Sequence, residues 1–340
     1  MKELINDGPS QRKKDRRKTN QDCGYDRRVR IRRFADLFLS QPDPKKNEVK
    51  SENLAHTYDG EKLAVKFLNA SGWGPLLNLG YFELKQLPFL IGGLNHFQKH
   101  LVKKSVDLLN PDSNELILDL ACGNGWTTHF IAQCGARTIG VDLCQSHIEA
   151  AQKEFGNLKN IRFLQGDATR LESVAAPNSI DKIHCLEAAF HFGADGRKAL
   201  LNSAYHVLKP GGTLVLVDIT WRTNCAEQIN EVDPENSFRQ TWEMEMFEPF
   251  ESYKAYAKTI GFSEREILDW TKPVTKRLMD VAALTIYMAQ HRLTRKALEL
   301  ARPDYAAISI DEWKMLVGEL RLSQKVLGQT RYAAYVFTKS

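Results

Sequence analysis

The 340-residue sequence has no apolar run that approaches the roughly 18 residues needed to cross a membrane as a helix. Its first residues, MKELINDGPSQRKKDRRK, also lack the apolar stretch of about 7 to 15 residues that a secretory signal contains. We therefore expect a chain without a transmembrane segment that remains in the cytoplasm. Apolar residues at 43% and charged residues at 26% match ordinary globular usage, so a hydrophobic core is expected.

Cysteine is scarce and is not spaced for metal or disulfide chemistry. The six cysteines, at positions 23, 122, 134, 144, 185 and 225, form no CxxC pair, and no histidine-rich cluster accompanies them. This pattern argues against a zinc site and against a disulfide framework. Most of these cysteines lie in apolar segments, where a free thiol acts as a small buried hydrophobe. We predict reduced cysteines and no metal ion.

The net charge of +5 is concentrated near the start of the sequence. Residues 1–50 contain 15 Lys or Arg and 8 Asp or Glu, whereas the remaining residues contain 32 and 34. We interpret residues 1–50 as a basic, mostly disordered tail with one short helix. Its arginine pairs leave open a contact with RNA or lipid headgroups. Because the rest of the chain is nearly neutral, the pI of 8.7 does not indicate a nucleic-acid substrate.

Three further segments are predicted after the tail. Residues 51–112 form a helical N-terminal cap, and within them SGWGPLLNLGYF is predicted to be an ordered loop that serves as a lid. Residues 113–222 alternate short apolar runs with amphipathic segments, which is the pattern of a parallel α/β sheet. Residues 223–340 are predicted to add helical lid insertions and the final strands of the sheet.

Local signals predict individual elements. Apolar residues at 3.6-residue spacing predict a helix through Leu94, Phe97 and Leu101. Ser146 followed by Glu149 predicts a capping box that opens the helix HIEAAQKEF. The predicted strands are ELILDLA, ARTIGVDL, IRFLQGDA, IDKIHCLEA, TLVLVDI, EREILDW and RYAAYVFTK. A helical stretch carrying Trp242, Met244, Met246 and Phe247 is expected before EREILDW.

A glycine-containing loop, Asp119 to Gly125, follows the first of these strands and opens a helix. At the carboxyl end of a strand in an open α/β sheet, glycines let the backbone approach a ligand. Thr128 stands where the dinucleotide fingerprint has its third glycine, and an acid precedes the first glycine by four places. These departures favour a ligand with an ammonium and a sulfonium group. Asp142, at the end of the second strand, is placed to accept hydrogen bonds from the ribose hydroxyls. Asp167, at the end of the third, could accept a hydrogen bond from the adenine amino group.

From about residue 115 to 220 the chain resembles class I S-adenosylmethionine-dependent methyltransferases. DLACGNG resembles their first motif, and Asp142, Asp167-Ala168 and LKPGG fall at the positions of later ones. The resemblance implies a Rossmann-like, mostly parallel seven-stranded sheet with helices on both faces and an antiparallel last strand. It also implies that S-adenosyl-L-methionine is the cofactor, bound by Asp119, Ala121, Gly123, Asn124, Gly125, Asp142, Leu143, Asp167, Ala168 and Leu186.

His191, after the fourth strand, is predicted to act as a general base, because similar small-molecule methyltransferases carry a histidine in this segment. A base histidine works better beside a carboxylate, so Asp218 at the end of the fifth strand is predicted to pair with it. Structural or capping roles remain alternatives for both residues. An apolar substrate pocket is expected from aromatic and polar residues around the sheet: Trp73, Tyr81, Glu187, Trp221, Trp242 and Phe247.

The residues favour O-methylation of a small or medium apolar molecule of natural-product, lipid or quinone type. Carbon or nitrogen methylation of a small molecule remains open. An RNA-associated protein that uses its basic tail also remains open, although nucleic-acid binding is the less favoured hypothesis. The sequence does not decide the oligomeric state, and a homodimer is one of the states it allows.

Overall fold

The computed structural model describes residues 62–85, 92–223, 226–244 and 247–340. The predicted basic tail, residues 1–50, and Met246 lie outside the described residues. Among the described helices, none is both long enough and apolar enough to cross a membrane.

Seven strands form one sheet in the order β3-β2-β1-β4-β5-β7-β6. The first five pair in parallel, whereas β7 runs antiparallel between β5 and β6, which confirms the predicted antiparallel last strand. The strands are β1 (Leu116–Leu120), β2 (Arg137–Asp142), β3 (Ile161–Gln165), β4 (Ile180–Leu186), β5 (Leu208–Trp221), β6 (Phe262–Asp269) and β7 (Thr330–Lys339).

The described helices surround this sheet in chain order. They are α1 (Leu63–Ala70), α2 (Asn95–Leu109), α3 (Trp126–Gln133), α4 (Gln145–Phe155), α5 (Gly193–Val207), α6 (Ile229–Val232), α7 (Ser237–Thr241), α8 (Phe250–Ile260), α9 (Arg277–Ala289), α10 (Arg292–Ala301) and α11 (Ile310–Leu327). Short 3-10 turns cover Leu171–Ser173, Ala189–His191, Ala226–Gln228 and Pro303–Ala307, and one π-helical turn covers Lys272–Lys276.

Helices pack on both faces of the sheet, and the alternation of side chains along β5 shows how. Val217 and Ile219 share an apolar cluster with Leu101 of α2. Asp218 points to the opposite face and contacts Tyr253 of α8. Because successive residues of a strand point to opposite faces, these contacts place α2 and α8 on different sides. This agrees with the predicted Rossmann-like arrangement.

Two local predictions were wrong. Helix α4 begins at Gln145, so Ser146 lies inside it and makes no capping hydrogen bond. Asp142 Oδ1 instead accepts the backbone N–H of Cys144 at 2.9 Å, which turns the chain into the helix before Ser146. The helix expected to carry Trp242 and Phe247 ends at Thr241, and both residues follow it.

Candidate active site

A cavity of about 670 Å³ opens at the carboxyl ends of β1, β2 and β4. The strand order reverses between β1 and β4, and ligands of open α/β sheets bind at such a switch point. Nine of the ten residues predicted to bind the cofactor line this cavity: Asp119, Ala121, Gly123, Asn124, Asp142, Leu143, Asp167, Ala168 and Leu186. We call it the donor cavity.

The loop after β1 has the backbone conformation that glycine favours. Ala121, Gly123 and Gly125 have φ angles of 52°, 52° and 80°. A Cβ on Gly123 would meet only Leu77, at 3.9 Å, so the loop leaves open space there for a ligand. Gly125 is the one predicted cofactor residue outside the cavity lining. A Cβ there would meet the Phe163 ring at 2.7 Å, so its smallness serves packing.

Asp119 is buried and both of its oxygens have partners within the protein. Oδ2 accepts a 2.6 Å hydrogen bond from Thr128 Oγ1, and Oδ1 lies 2.9 Å from Nδ1 of His184. His184 Nε2 lies 3.0 Å from Ser105 Oγ on α2. The carboxylate therefore ties the start of the loop directly to α3 and β4, and to α2 through His184.

His184, Thr128 and Ser105 were not predicted to take part in the site. The only sequence signal for His184 was a polar residue in the middle of the apolar strand IDKIHCL. Thr128 was noticed as the missing third glycine, and the structure gives that substitution a physical reason. A glycine there would leave one buried carboxylate oxygen of Asp119 without its short hydrogen bond.

Asp142 holds the loop from the second strand. Its Oδ2 accepts the Gly123 backbone N–H at 2.8 Å, and its Oδ1 lies 3.3 Å from His147 Nδ1. Each carboxylate oxygen has two acceptor positions, so Oδ2 retains capacity for a hydroxyl donor. Asp167 accepts hydrogen bonds from both the N–H and the hydroxyl of Thr169 and still lines the cavity.

His191 lies in the turn after β4 and lines the donor cavity. Its Nδ1 is 3.0 Å from the carbonyl oxygen of Glu243, which can only accept a hydrogen bond. Burial lowers the pKa of His191 to about 4, although the Glu243 carbonyl opposes that shift. The ring is therefore neutral at pH 7, with its proton on Nδ1 and its lone pair on Nε2.

Asp218 does not orient His191, contrary to the prediction. It is fully buried, and its Oδ2 accepts a 2.6 Å hydrogen bond from Tyr253. Burial raises the pKa of Asp218 to about 7, against the Tyr253 hydrogen bond and the charge of Arg197. Strand alternation explains the error, because Ile219 faces the cavities and its neighbour Asp218 must face away.

A second cavity of about 100 Å³ adjoins the first and has an apolar lining. Glu187 and Leu77 line both cavities. Of the predicted pocket residues, Trp73, Trp242 and Glu187 line this second space, which we call the acceptor cavity. Tyr81 does not, because its ring packs edge-on against Trp270. Trp221 and Phe247 are buried and stack on each other elsewhere.

Glu187 is a partly buried acid with a strained backbone at the junction of the cavities. Its φ is 51°, and its Oε1 accepts a 2.5 Å hydrogen bond from Tyr332. The Leu79 backbone N–H, from the predicted lid loop, contacts both carboxylate oxygens at 3.2 and 3.0 Å. Burial raises the pKa of Glu187 to about 8, although the Tyr332 and Leu79 hydrogen bonds lower it. At neutral pH this carboxyl group is mostly protonated.

Comparison with known proteins agrees with this geometry. A family described as a methyltransferase domain matches residues 117–212. Erythromycin 3''-O-methyltransferase of Saccharopolyspora erythraea is 30% identical over 43% of this chain and 46% of its own length. An S-adenosyl-L-methionine-dependent Diels-Alderase of Talaromyces variabilis is 26% identical over 64% and 78%. The chain thus spans about half the length of the first of these relatives.

Solved structures show the same fold. A cyclopropane synthase from Mycobacterium tuberculosis superposes with a TM-score of 0.62 at 19% identity, over 85% of this chain and 98% of that one. The open space at Gly123 and the remaining acceptor capacity of Asp142 fit the cofactor of this family. Residues 117–212 match a methyltransferase domain, a family whose cofactor is S-adenosyl-L-methionine, and the sheet around them has the fold of this cyclopropane synthase.

Proposed function

We propose that the chain transfers a methyl group from S-adenosylmethionine to an oxygen of a small or medium apolar molecule. One observation carries the proposal: the donor cavity and the apolar acceptor cavity meet at Glu187 and Leu77. A methyl group moves by in-line displacement, so donor and acceptor must meet along one line without water between them. Two cavities that meet at the same two residues support such an arrangement.

The bound cofactor supplies a methyl group that is already activated on a sulfonium. The chain therefore has to bind both molecules, align them and, for a hydroxyl acceptor, remove one proton. His191 is our proposed base, with the Glu243 carbonyl holding its Nδ1 proton in place of Asp218. A pKa near 4 makes it a weak base, which suits an acidic hydroxyl such as a phenol or an enol.

Glu187 is our proposed group for placing the acceptor. As a protonated carboxyl at the head of an apolar space, it can donate a hydrogen bond to an acceptor oxygen. Trp73 and Trp242 would then cover the apolar body of the molecule. The RNA hypothesis concerns residues 1–50, which lie outside the described residues.

The function is tested by binding and turnover measured on the full chain. We expect calorimetric titration with S-adenosylmethionine to show one site with micromolar or tighter affinity. Release of S-adenosylhomocysteine should then rise with apolar phenols, enols or hydroxylated lipids from an acceptor panel. Nuclear magnetic resonance of the product identifies the methylated atom, so methylated carbon or nitrogen would replace O-methylation. Absence of cofactor binding would overturn the proposal.

Once an acceptor is known, His191→Ala should lower kcat about 100-fold, the low end for general-base catalysis, because the base is weak. Cofactor affinity should stay within a few-fold of wild type. Asp218→Asn is the control, since this residue faces away from the cavities and should leave kcat nearly unchanged. Equal kcat for His191→Ala and the parent at pH 7 would remove His191 from proton transfer.

A further inference from the structure

Helix α10 (Arg292–Ala301) has an outward face that the described fold leaves uncovered. None of its residues is buried. Leu293 and Leu300 are 82% and 87% exposed. At 100° per residue, these two leucines point in nearly the same direction, with Ala297 beside them. A single exposed leucine is ordinary on a protein surface, but two that point the same way on one short helix form an apolar stripe.

Two cations border this apolar stripe. Arg292 and Lys296 lie on its flank by the same helical geometry, and both are exposed. Neither has an ion-pair partner among the residues that the structure describes. The inward side of α10 is different, because Arg295 pairs with Glu299 and donates to the Ala289 carbonyl. Arg292 and Lys296 therefore face solvent and can contact an external anion.

The adjoining helix α9 also has exposed apolar residues, and it forms a wall of the acceptor cavity. Its Leu284 and Tyr287 are 60% and 67% exposed. Its opposite side supplies Leu278, Ala282 and Ile286 to the cavity lining. One helix thus separates the apolar cavity from the exposed apolar surface.

We propose that the outward face of α10, with Leu284 and Tyr287 of α9, docks onto an anionic lipid bilayer. A leucine stripe flanked by Arg and Lys is the pattern of a helix that lies in the headgroup region. A second protein chain fits less well, because ten residues span only about 15 Å and a stable interface needs about 800 Å² per partner.

The chain also carries a second positively charged segment. Residues 1–50 hold 15 Lys or Arg against 8 Asp or Glu. A single short apolar insertion binds membranes weakly, and a polybasic segment is the usual second contribution. The inference extends the proposed function, since an apolar acceptor concentrated in a bilayer would then be held next to the acceptor cavity.

The test is co-sedimentation of the full chain with vesicles, which requires no turnover. The probes are vesicles of phosphatidylcholine alone and vesicles with about one-third phosphatidylserine. We expect binding to the anionic vesicles. The double variant Leu293→Ser/Leu300→Ser should lose about 100-fold in partition coefficient, roughly tenfold for each leucine removed from the bilayer. Arg292→Gln/Lys296→Gln should lose roughly 30-fold in partition coefficient, at about 1 kcal/mol for each charge, and only on anionic vesicles.

Matched controls come from the region of α4 and the turn before β3. Leu158→Ser and Lys153→Gln/Lys159→Gln change exposed residues there and should bind like the parent. Calorimetry with S-adenosylmethionine checks that each variant is folded. If the parent bound vesicles as expected but did not bind S-adenosylmethionine, the proposed function would fail and the docking proposal would stand. The docking proposal would be overturned if the parent did not bind vesicles, or if the leucine variant bound them as well as the parent. It would also be overturned if the parent were a dimer that the leucine variant dissociates.

Discussion

Asp119→Ala should lower the free energy of unfolding by about 2 to 6 kcal/mol, because two buried groups lose their hydrogen-bond acceptor at about 1 to 3 kcal/mol each. The side chains of Thr128 and His184, which are fully buried, would lose their acceptor. The loop from Ala121 to Gly125 would lose its anchor, so S-adenosylmethionine affinity should fall more than tenfold. Chemical denaturation and calorimetric titration measure the two effects.

Two further variants keep the Asp119 prediction testable. Thr128→Val serves if Asp119→Ala does not fold. It removes one of the two hydrogen bonds to the Asp119 carboxylate, so it should lower the free energy of unfolding by about 1 kcal/mol and weaken S-adenosylmethionine binding less than Asp119→Ala does. Asp181→Ala is the matched control, because Asp181 binds Lys209 and the Leu116 N–H at the other end of the sheet. It should also lose about 1 kcal/mol but retain full affinity. Equal affinity losses in all three variants would contradict a specific anchoring role.

Glu187 should make the protein less stable as the pH rises. Its pKa is about 8 in the native protein against 4.5 for the ordinary group. Between these values the unfolded chain has released the proton that the native chain still holds, so ionisation favours the unfolded state. The free energy of unfolding should therefore fall by on the order of 3 kcal/mol between pH 5 and 8 from this residue alone.

Glu187→Gln should remove that part of the slope, as measured by denaturant unfolding at several pH values. A fall in stability with rising pH should remain because of Asp218. Burial raises the pKa of Asp218 from 3.8 to about 7, so its ionisation also favours the unfolded state. Glu154→Gln, at an exposed acid of α4, should leave the slope unchanged. The same pH dependence in Glu187→Gln and the parent would show that Glu187 is ionised in the native protein at neutral pH.

Turnover should report the same ionisation. If the protonated carboxyl of Glu187 donates a hydrogen bond to the acceptor, kcat/KM of the parent should fall above about pH 8. The amide of Glu187→Gln keeps a donor, so its kcat/KM should be lower but independent of pH in this range. His191 cannot produce this change, because with a pKa of about 4 it stays neutral from pH 6 to 9.

The sequence by itself determined the sheet, the donor loop and the family. Short apolar runs that are followed by amphipathic segments and carry Asp119, Asp142 and Asp167 near their carboxyl ends identify parallel strands that end at one edge of a sheet, and this local pattern is sufficient for that inference. Nine of the ten predicted cofactor residues line the donor cavity for this reason. Gly125 was the exception, because its neighbours Phe163 and Ala151 come from other elements.

Only the tertiary structure decided which polar groups meet. Asp218 lies within β5 and His191 follows the neighbouring strand β4, but strand alternation turns Asp218 toward Tyr253, and His191 contacts the Glu243 carbonyl instead. The Glu187 carboxyl meets Tyr332, which is distant in the sequence, and acquires its raised pKa from burial among such neighbours. Burial and long-range pairing are properties of the packed chain, so no local pattern encodes them.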